Sequence, residues 1–297
     1  VRPSILIYNP TAGRGGQRAM LDSLLPALAD SGFEVEPRAT AAPGDATDLA
    51  RAAAGEGVEV VFVLGGDGTV REAAAGLAGS SGSEAPTAAL AILPGGTTNV
   101  LAHALGLPPT PLAAARAHAG HTVRRLDVGL CDGQPFLMMA SGGYDGFLLE
   151  QMDPTWKSRF GKLGIALQGL FHLGRYRFPR LALRVDGEEL EARFFAVCNI
   201  PYYGGTFELC PSAACDDRRL DLVTFTGGGP VATAGFSLDV ARGLHVNRDD
   251  VVIRPAARVE IHAPEALPLQ LDGDAFACTP PVVIELAPDT VPVLAPG

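Results

Sequence analysis

The sequence lacks a basic excess: 23 Lys and Arg face 33 Asp and Glu, for a formal net charge of −10. Nucleic-acid binding is disfavoured on that ground, because such proteins carry a cationic footprint. Cysteine is scarce and odd in number, with five residues at Cys131, Cys198, Cys210, Cys215 and Cys278 and no CxxC pair. That pattern reads as small apolar core residues in a reducing compartment. No stretch reaches the roughly 18 apolar residues of a membrane span. From Val1 the chain runs straight into a strand pattern with no signal peptide, so a cytoplasmic location is expected. No repeat and no low-complexity linker is present. There is no GxxxxGK[ST], which excludes a Walker-type loop. Nor does a GxGxxG follow the first strand, so a dinucleotide-binding fingerprint is unsupported. The six His show no metal-ligand spacing.

What is present suits a globular protein of two domains: 297 residues, 47% hydrophobic and 19% charged. Strand and helix signals alternate through the first hundred residues. Ser4 to Tyr8, Phe33 to Pro37, Val58 to Leu64 and Ala88 to Leu93 read as strands. Asp45 to Ala54, Gly68 to Ala78 and Asn99 to Leu105 read as helices. So does the run with Met20, Leu24 and Leu28, flanked by Leu21 and Leu25, whose spacing predicts one apolar stripe. This alternation predicts a parallel sheet covered by helices on both faces. Beyond Leu126 the runs become shorter and alternating, as in Ala182 to Val185, Arg193 to Val197, Leu220 to Phe225, Val251 to Ile253 and Val259 to His262. They predict an antiparallel sandwich or barrel, interrupted by one helix near Gly161 to Leu173. The expected organisation is an α/β domain over 1–125 and a β-rich domain over 126–297, with a ligand cleft between. The final run, Val282 to Leu294, suits either domain.

Three loops share one grammar. Asn9-Pro10-Thr11-Ala12-Gly13, Gly65-Gly66-Asp67-Gly68-Thr69 and Pro94-Gly95-Gly96-Thr97-Thr98-Asn99 each follow a predicted strand and precede a predicted helix. In an open α/β sheet, ligands bind at that carboxyl edge. Glycine lets the backbone approach a bulky anion, and free amides at a helix start bind phosphate. Asp67 repels phosphate, so it suits a Mg²⁺ ion or the orientation of a proton. The bland alternative is three ordinary turns with glycines at positive φ.

These three motifs resemble the signatures of the diacylglycerol kinase catalytic-domain family, which includes bacterial lipid kinases and sphingosine kinases. The resemblance continues through Asn199 to Gly205 (NIPYYGG), Pro211-Ser212-Ala213, Asp217, Leu220-Asp221-Leu222 and Asp272-Gly273-Asp274, and so covers nearly the whole chain. GGDGT alone is shared with NAD kinases. The resemblance implies a Rossmann-like N-terminal sheet of the NAD kinase and phosphofructokinase type. It also implies an antiparallel β-sandwich C-terminal domain and an active site in the interdomain cleft. It implies an ATP- and Mg²⁺-dependent transfer to a lipid hydroxyl, diacylglycerol-like or sphingoid-like. Asn9, Pro10, Thr11, Ala12 and Gly13, with Gly66, Asp67, Gly68, Thr69, Val70, Arg71 and Glu72, would hold ATP. Thr40 and Thr97 would contact it from neighbouring loops. Asp217 would bind Mg²⁺ with the carbonyls of Ala214 and Arg219, and Asp127 and Asp67 would join a network around the phosphates. Asp274 stands where the family carries the Glu that accepts the proton, one methylene shorter. Arg218 stands where bacterial members often have Gly.

The residues themselves show why such roles fit. Phosphoryl transfer needs a placed phosphate, a cation and an oriented hydroxyl. Asp67, Asp272 and Asp274 are the candidate catalytic carboxylates, and the last two share a face if their segment is extended. As a plain alternative, Asp272-Gly273 is a hairpin turn, and Asp216-Asp217 a solvated one. Arg14, Arg18 and Arg71 could contact ATP, though helix-surface arginines are commoner. Trp156 to Arg180 holds six Lys or Arg and no acid, interleaved with Leu163, Ile165, Leu167, Leu170, Phe171 and Leu173. It suits either peripheral contact with an anionic bilayer or a helix packed on the β domain. Alternatives to a lipid kinase are an NAD kinase and a catalytically weak nucleotide- or lipid-binding homologue. A homodimer stays open, with no residue pointing to it.

Overall fold

The computed structural model describes residues 1–10, 17–78, 88–151, 168–169, 171–263 and 267–297. The chain divides into two compact units, Val1–Val128 with Ala287–Gly297, and Gly129–Leu286. The first unit runs β1 (Arg2–Tyr8), α1 (Gln17–Asp30), β2 (Phe33–Ala39), α2 (Asp45–Gly55), β3 (Val60–Gly65), α3 (Asp67–Ala78), β4 (Ala89–Pro94), α4 (Val100–Ala104) and α5 (Pro111–Ala117), then enters β5 (Thr122–Cys131). Its strands lie parallel in the order β2-β1-β3-β4. β3 and β4 are buried along their whole length, which explains their unbroken apolar runs.

α1 and α5 cover one sheet face, where Leu24, Leu28 and Ala115 pack with Leu6, Phe62, Leu64 and Leu93. The α1 stripe is Leu21, Leu24 and Leu28; Met20, expected to lead it, is 40% exposed. Position 20 shares that face by its spacing of four from Leu24, but it lies in the first turn of α1, where residues 18–20 are all exposed. α2 packs on α3, and Gly76 permits this, since a Cβ there would lie 2.3 Å from the Thr47 carbonyl oxygen.

The second unit contains β6 (Gln134–Phe136), β7 (Met139–Gly142), α6 (Tyr144–Gln151), β8 (Leu181–Val185), β9 (Glu188–Ala192), β10 (Phe194–Cys198), β11 (Tyr202–Tyr203), β12 (Phe207–Glu208), β13 (Leu220–Phe225), α7 (Pro230–Arg242), β14 (Val251–Ala256), β15 (Arg258–His262), β16 (Leu267–Leu271) and β17 (Asp274–Cys278). A six-stranded antiparallel sheet runs β14-β13-β10-β7-β16-β17. A core including Phe195, Val197, Leu269 and Leu271 from this sheet and Leu183, Val259, Ile261 and Ile284 from facing strands makes the unit a sandwich. On the other face Phe236 of α7 stacks on Phe225, with ring centroids 4.4 Å apart. The expectation of a single interrupting helix is therefore corrected: α6 and α7 both lie among these strands. α7 escaped notice because its Gly- and Thr-containing stretch shows little apolar periodicity. The expected helix at 161–173 falls largely outside the described residues.

β18 (Val282–Ala295) explains the ambiguity of the last run. Its start pairs antiparallel with β15 in the second unit, and its end, at Val293, lies parallel to Leu90 of β4 in the first.

Candidate active site

The parallel register fixes the edge at which each loop leaves the first unit's sheet. Tyr8 lies opposite Ala39 of β2 and Leu64 of β3, and Gly65 opposite Pro94 of β4. Asn9, Thr40, Gly66 and Gly95 therefore all emerge at the carboxyl edge. Because β2 lies on one side of β1 and β3 on the other, the order reverses between β1 and β3. Such a switch point opens a crevice for a ligand. The Thr40 N–H donates to the Tyr8 carbonyl at 2.9 Å and holds its loop against the first. Asn9 and Pro10 begin the first loop at this edge; Thr11, Ala12 and Gly13, and Arg14 beyond them, lie outside the described residues.

The loops after β3 and β4 touch backbone to backbone. The Gly95 N–H donates to the Gly65 carbonyl at 2.9 Å. A Cβ on Gly96 would stand 2.5 Å from the Gly66 Cα, so no other residue fits there without moving main chain. Asp67 then braces the pair. Its carboxylate accepts the Thr98 hydroxyl at 3.1 Å, the Val100 N–H at 3.1 Å and the Leu101 N–H at 3.2 Å. The last two are orphan donors at the start of α4. Asn99, the residue at the cap position, cannot serve them. It adopts φ 49°, and its side chain bonds back to the Gly96 N–H at 2.8 Å and carbonyl at 3.0 Å. Asn99 belongs to the quoted motif, but nothing local in the sequence revealed this turn-closing role.

The remaining candidates divide by orientation. Thr97 is exposed at the rim, while Gly68, Thr69 and Arg71 are half-buried. Val70 turns inward at 2% exposure, and its N–H already donates to the Gly66 carbonyl, so it lies beneath the turn. Glu72 accepts the Gly44 N–H at 3.0 Å through its carboxylate and the Thr47 hydroxyl at 2.9 Å through its carbonyl. It thereby ties α3 to the loop that carries Thr40. Asp127 is fully buried in β5.

In the second unit, Asp272 and Asp274 do not share an extended face. Leu271 pairs with Asp274, leaving Asp272 and Gly273 as a two-residue hairpin turn with φ 52° and 87°. Both residues sit in the left-handed region, as a type I′ turn requires. Asp272 points inward at 6% exposure and accepts the N–H groups of Leu137, Met138 and Met139 at 2.8, 2.8 and 3.0 Å. Asp274 is exposed at the start of β17. Asp217 is exposed too, and its Oδ1 accepts the Arg219 N–H at 3.1 Å. Arg218 between them adopts φ 60°, the conformation a glycine would take freely. Among the described residues no cluster of three or more His, Cys, Asp or Glu side chains gathers to hold a metal.

A parallel sheet with glycine turns braced at its carboxyl edge, followed by an antiparallel sandwich, is a two-unit architecture suited to holding a phosphate-bearing ligand. Family models agree along the chain: a diacylglycerol kinase catalytic domain matches residues 3–131, and a YegS C-terminal NAD kinase beta sandwich-like domain matches residues 139–295. The chain belongs to the diacylglycerol kinase family. It is 31% identical to the diacylglycerol kinase of Bacillus subtilis (strain 168) over 284 residues, spanning 95% of this chain and 92% of that one. It is 33% identical to a protein of Pseudomonas aeruginosa (strain UCBPP-PA14) named "Probable lipid kinase YegS-like", spanning 91% and 86%. A crystal structure of a diacylglycerol kinase from Bacillus anthracis str. Sterne superposes with a TM-score of 0.75 at 27% identity, covering 99% of this chain and 97% of that one.

Proposed function

We propose that the protein transfers the γ-phosphate of ATP to a hydroxyl of a lipid, diacylglycerol-like or sphingoid-like. The observation that carries this reading is the Gly66–Gly96 backbone contact braced by Asp67. It leaves the Gly66 and Gly96 backbones bare of side chains beside the start of α3, where helix amides attract phosphate. The first unit would hold the nucleotide, with Asn9, Thr40, Gly68, Thr69 and Thr97 at the rim and Asp67 and Glu72 holding the loops in place. Asp274 would accept the proton of the lipid hydroxyl as its oxygen bonds to the γ-phosphorus. The bond between that phosphorus and the bridging oxygen breaks, and ADP leaves. Asp272 would set the turn that presents Asp274.

Asp217 fits a hard cation as its one carboxylate, completed by the carbonyls of Ala214 and Arg219 and by water. Mg²⁺, when bound, would supply positive charge to the phosphates and to this turn. Lipid substrates reside in bilayers, and the cationic Trp156 to Arg180 stretch supports peripheral contact with an anionic surface.

The test is a radiolabelled-ATP assay over diacylglycerol, a sphingoid base, phosphatidylglycerol and an isoprenoid alcohol. Transfer to at least one of them is expected, with Asp67→Ala and Asp274→Asn folded but inactive. Absence of transfer to every acceptor, or near wild-type turnover in Asp274→Asn, removes the reading.

A further inference from the structure

Beneath the Asp272-Gly273 turn runs a buried polar chain that the transfer step leaves unused. The Gly273 N–H donates to Gln270 Oε1 at 2.6 Å. That bond orients the amide, so Gln270 Nε2 donates to Ser141 Oγ at 2.9 Å. The Ser141 hydroxyl donates to Asp145 Oδ2, and the Tyr203 hydroxyl to Asp145 Oδ1. Every donor thus points toward one carboxylate. Ser141, Gln270 and Asp145 are 0%, 1% and 7% exposed. Ser141 and Gln270 are paired across β7 and β16. Asp145 sits in the first turn of α6, four residues on. Gly146 brings that helix onto β16, since a Cβ there would lie 2.0 Å from the Pro268 carbonyl oxygen.

The hydrogen-bond partners of Asp145 are the neutral side chains of Ser141, Tyr203 and Gln270. Burying a carboxylate among neutral groups is costly, and an apolar residue of similar size would serve stability as well or better. The cost points to a task. Asp274 is one methylene shorter than the glutamate of the family pattern, so its reach is set by the backbone beneath it. A misplacement of about 1 Å costs on the order of a hundredfold in rate.

We propose that Asp145, acting through Ser141 and Gln270, is a positioning residue that locks the Asp272-Gly273 turn and so aims Asp274. Asp272 holds the turn from one side through three amides, and the Asp145 chain holds it from the other through Gly273. The inference rests on Asp274 being the proton acceptor.

The test uses the full chain with Ser141→Ala, Gln270→Leu and Asp145→Asn. Turnover is measured with radiolabelled ATP and dioleoylglycerol in mixed micelles. Amide hydrogen exchange at Gly273 and Asp274 is measured without substrate. Ser141→Ala should lower kcat roughly 10- to 100-fold with KM for ATP within about twofold of wild type. Exchange at Gly273 should quicken. Ser141→Ala is the mildest change and keeps the test valid if Asp145→Asn does not fold. If Asp274→Asn is inactive while Ser141→Ala and Gln270→Leu keep wild-type kcat and exchange, the positioning role is overturned and Asp274 stands. If Asp274→Asn turns over normally, the proton-acceptor assignment itself fails.

Discussion

Arg218 and Gly96 show what single residues decide here. Arg218 holds φ 60° beside Asp217, a strain of about 1–2 kcal/mol for a residue with a Cβ. Arg218→Gly relieves it, less the entropy that glycine loses on folding. A net gain of about 0.5 kcal/mol is expected in urea denaturation. Gly96→Ala has the opposite outcome, because its Cβ would stand 2.5 Å from main chain rather than from a side chain that can rotate. A loss of about 1–3 kcal/mol is expected, with ATP affinity reduced in calorimetry. The sequence made both positions visible, one as a glycine in a motif and one as a departure from it. What it did not carry was the partner: nothing near position 96 says that Gly66 lies against it. Asp272 is the sharper case. Its Asp-Gly pair signals a turn, and the turn is there. The three amides that its carboxylate accepts sit more than 130 positions away in sequence.

At the scale of elements, turn chemistry recurs. Asp132-Gly133, Asp186-Gly187 and Asp272-Gly273 each close a two-residue hairpin with both φ positive. Each Asp also accepts an N–H from another strand or segment. In the first unit, α5 is secured to β4 by a histidine pair. His118 Nε2 donates to the Ile92 carbonyl at 3.1 Å, which leaves its Nδ1 to accept from His121 Nδ1 at 3.0 Å. Burial pushes the His118 imidazole down from 6.5 to about 4. A folded-state value below the unfolded one means that the contribution is present above pH 6.5 and lost as pH falls toward 4. Protonation would set two N–H groups face to face. Up to about 3 kcal/mol of stability should disappear over that window, and His118→Gln should flatten this part of the profile. Urea midpoints at pH 7 and pH 4.5 measure the difference.

For the whole molecule, the net charge of −10 opposes approach to an anionic surface, and no helix among the described residues is long and apolar enough to cross a membrane. The proposed peripheral contact would therefore rest on local attraction. Phe171 is 65% exposed, with the Arg175 guanidinium 4.1 Å from its ring centroid. Such a pair can lie at a headgroup boundary. Co-sedimentation with phosphatidylglycerol vesicles is expected at low salt and should weaken as ionic strength rises. Replacing Lys157, Arg159 and Lys162 by Ala should reduce it; unchanged binding would end the membrane proposal.

The strand and helix order of the first hundred residues, the glycine loops after β3 and β4 and the change of character after Leu126 were determined by the sequence alone. Each follows from periodicity or turn chemistry acting over a few residues. Tertiary structure decided the inward aim of Asp272, the capping of α4 by Asp67, the double allegiance of β18 and the chain ending at Asp145. Those depend on which distant backbones come within a few ångströms, and no local pattern encodes that distance.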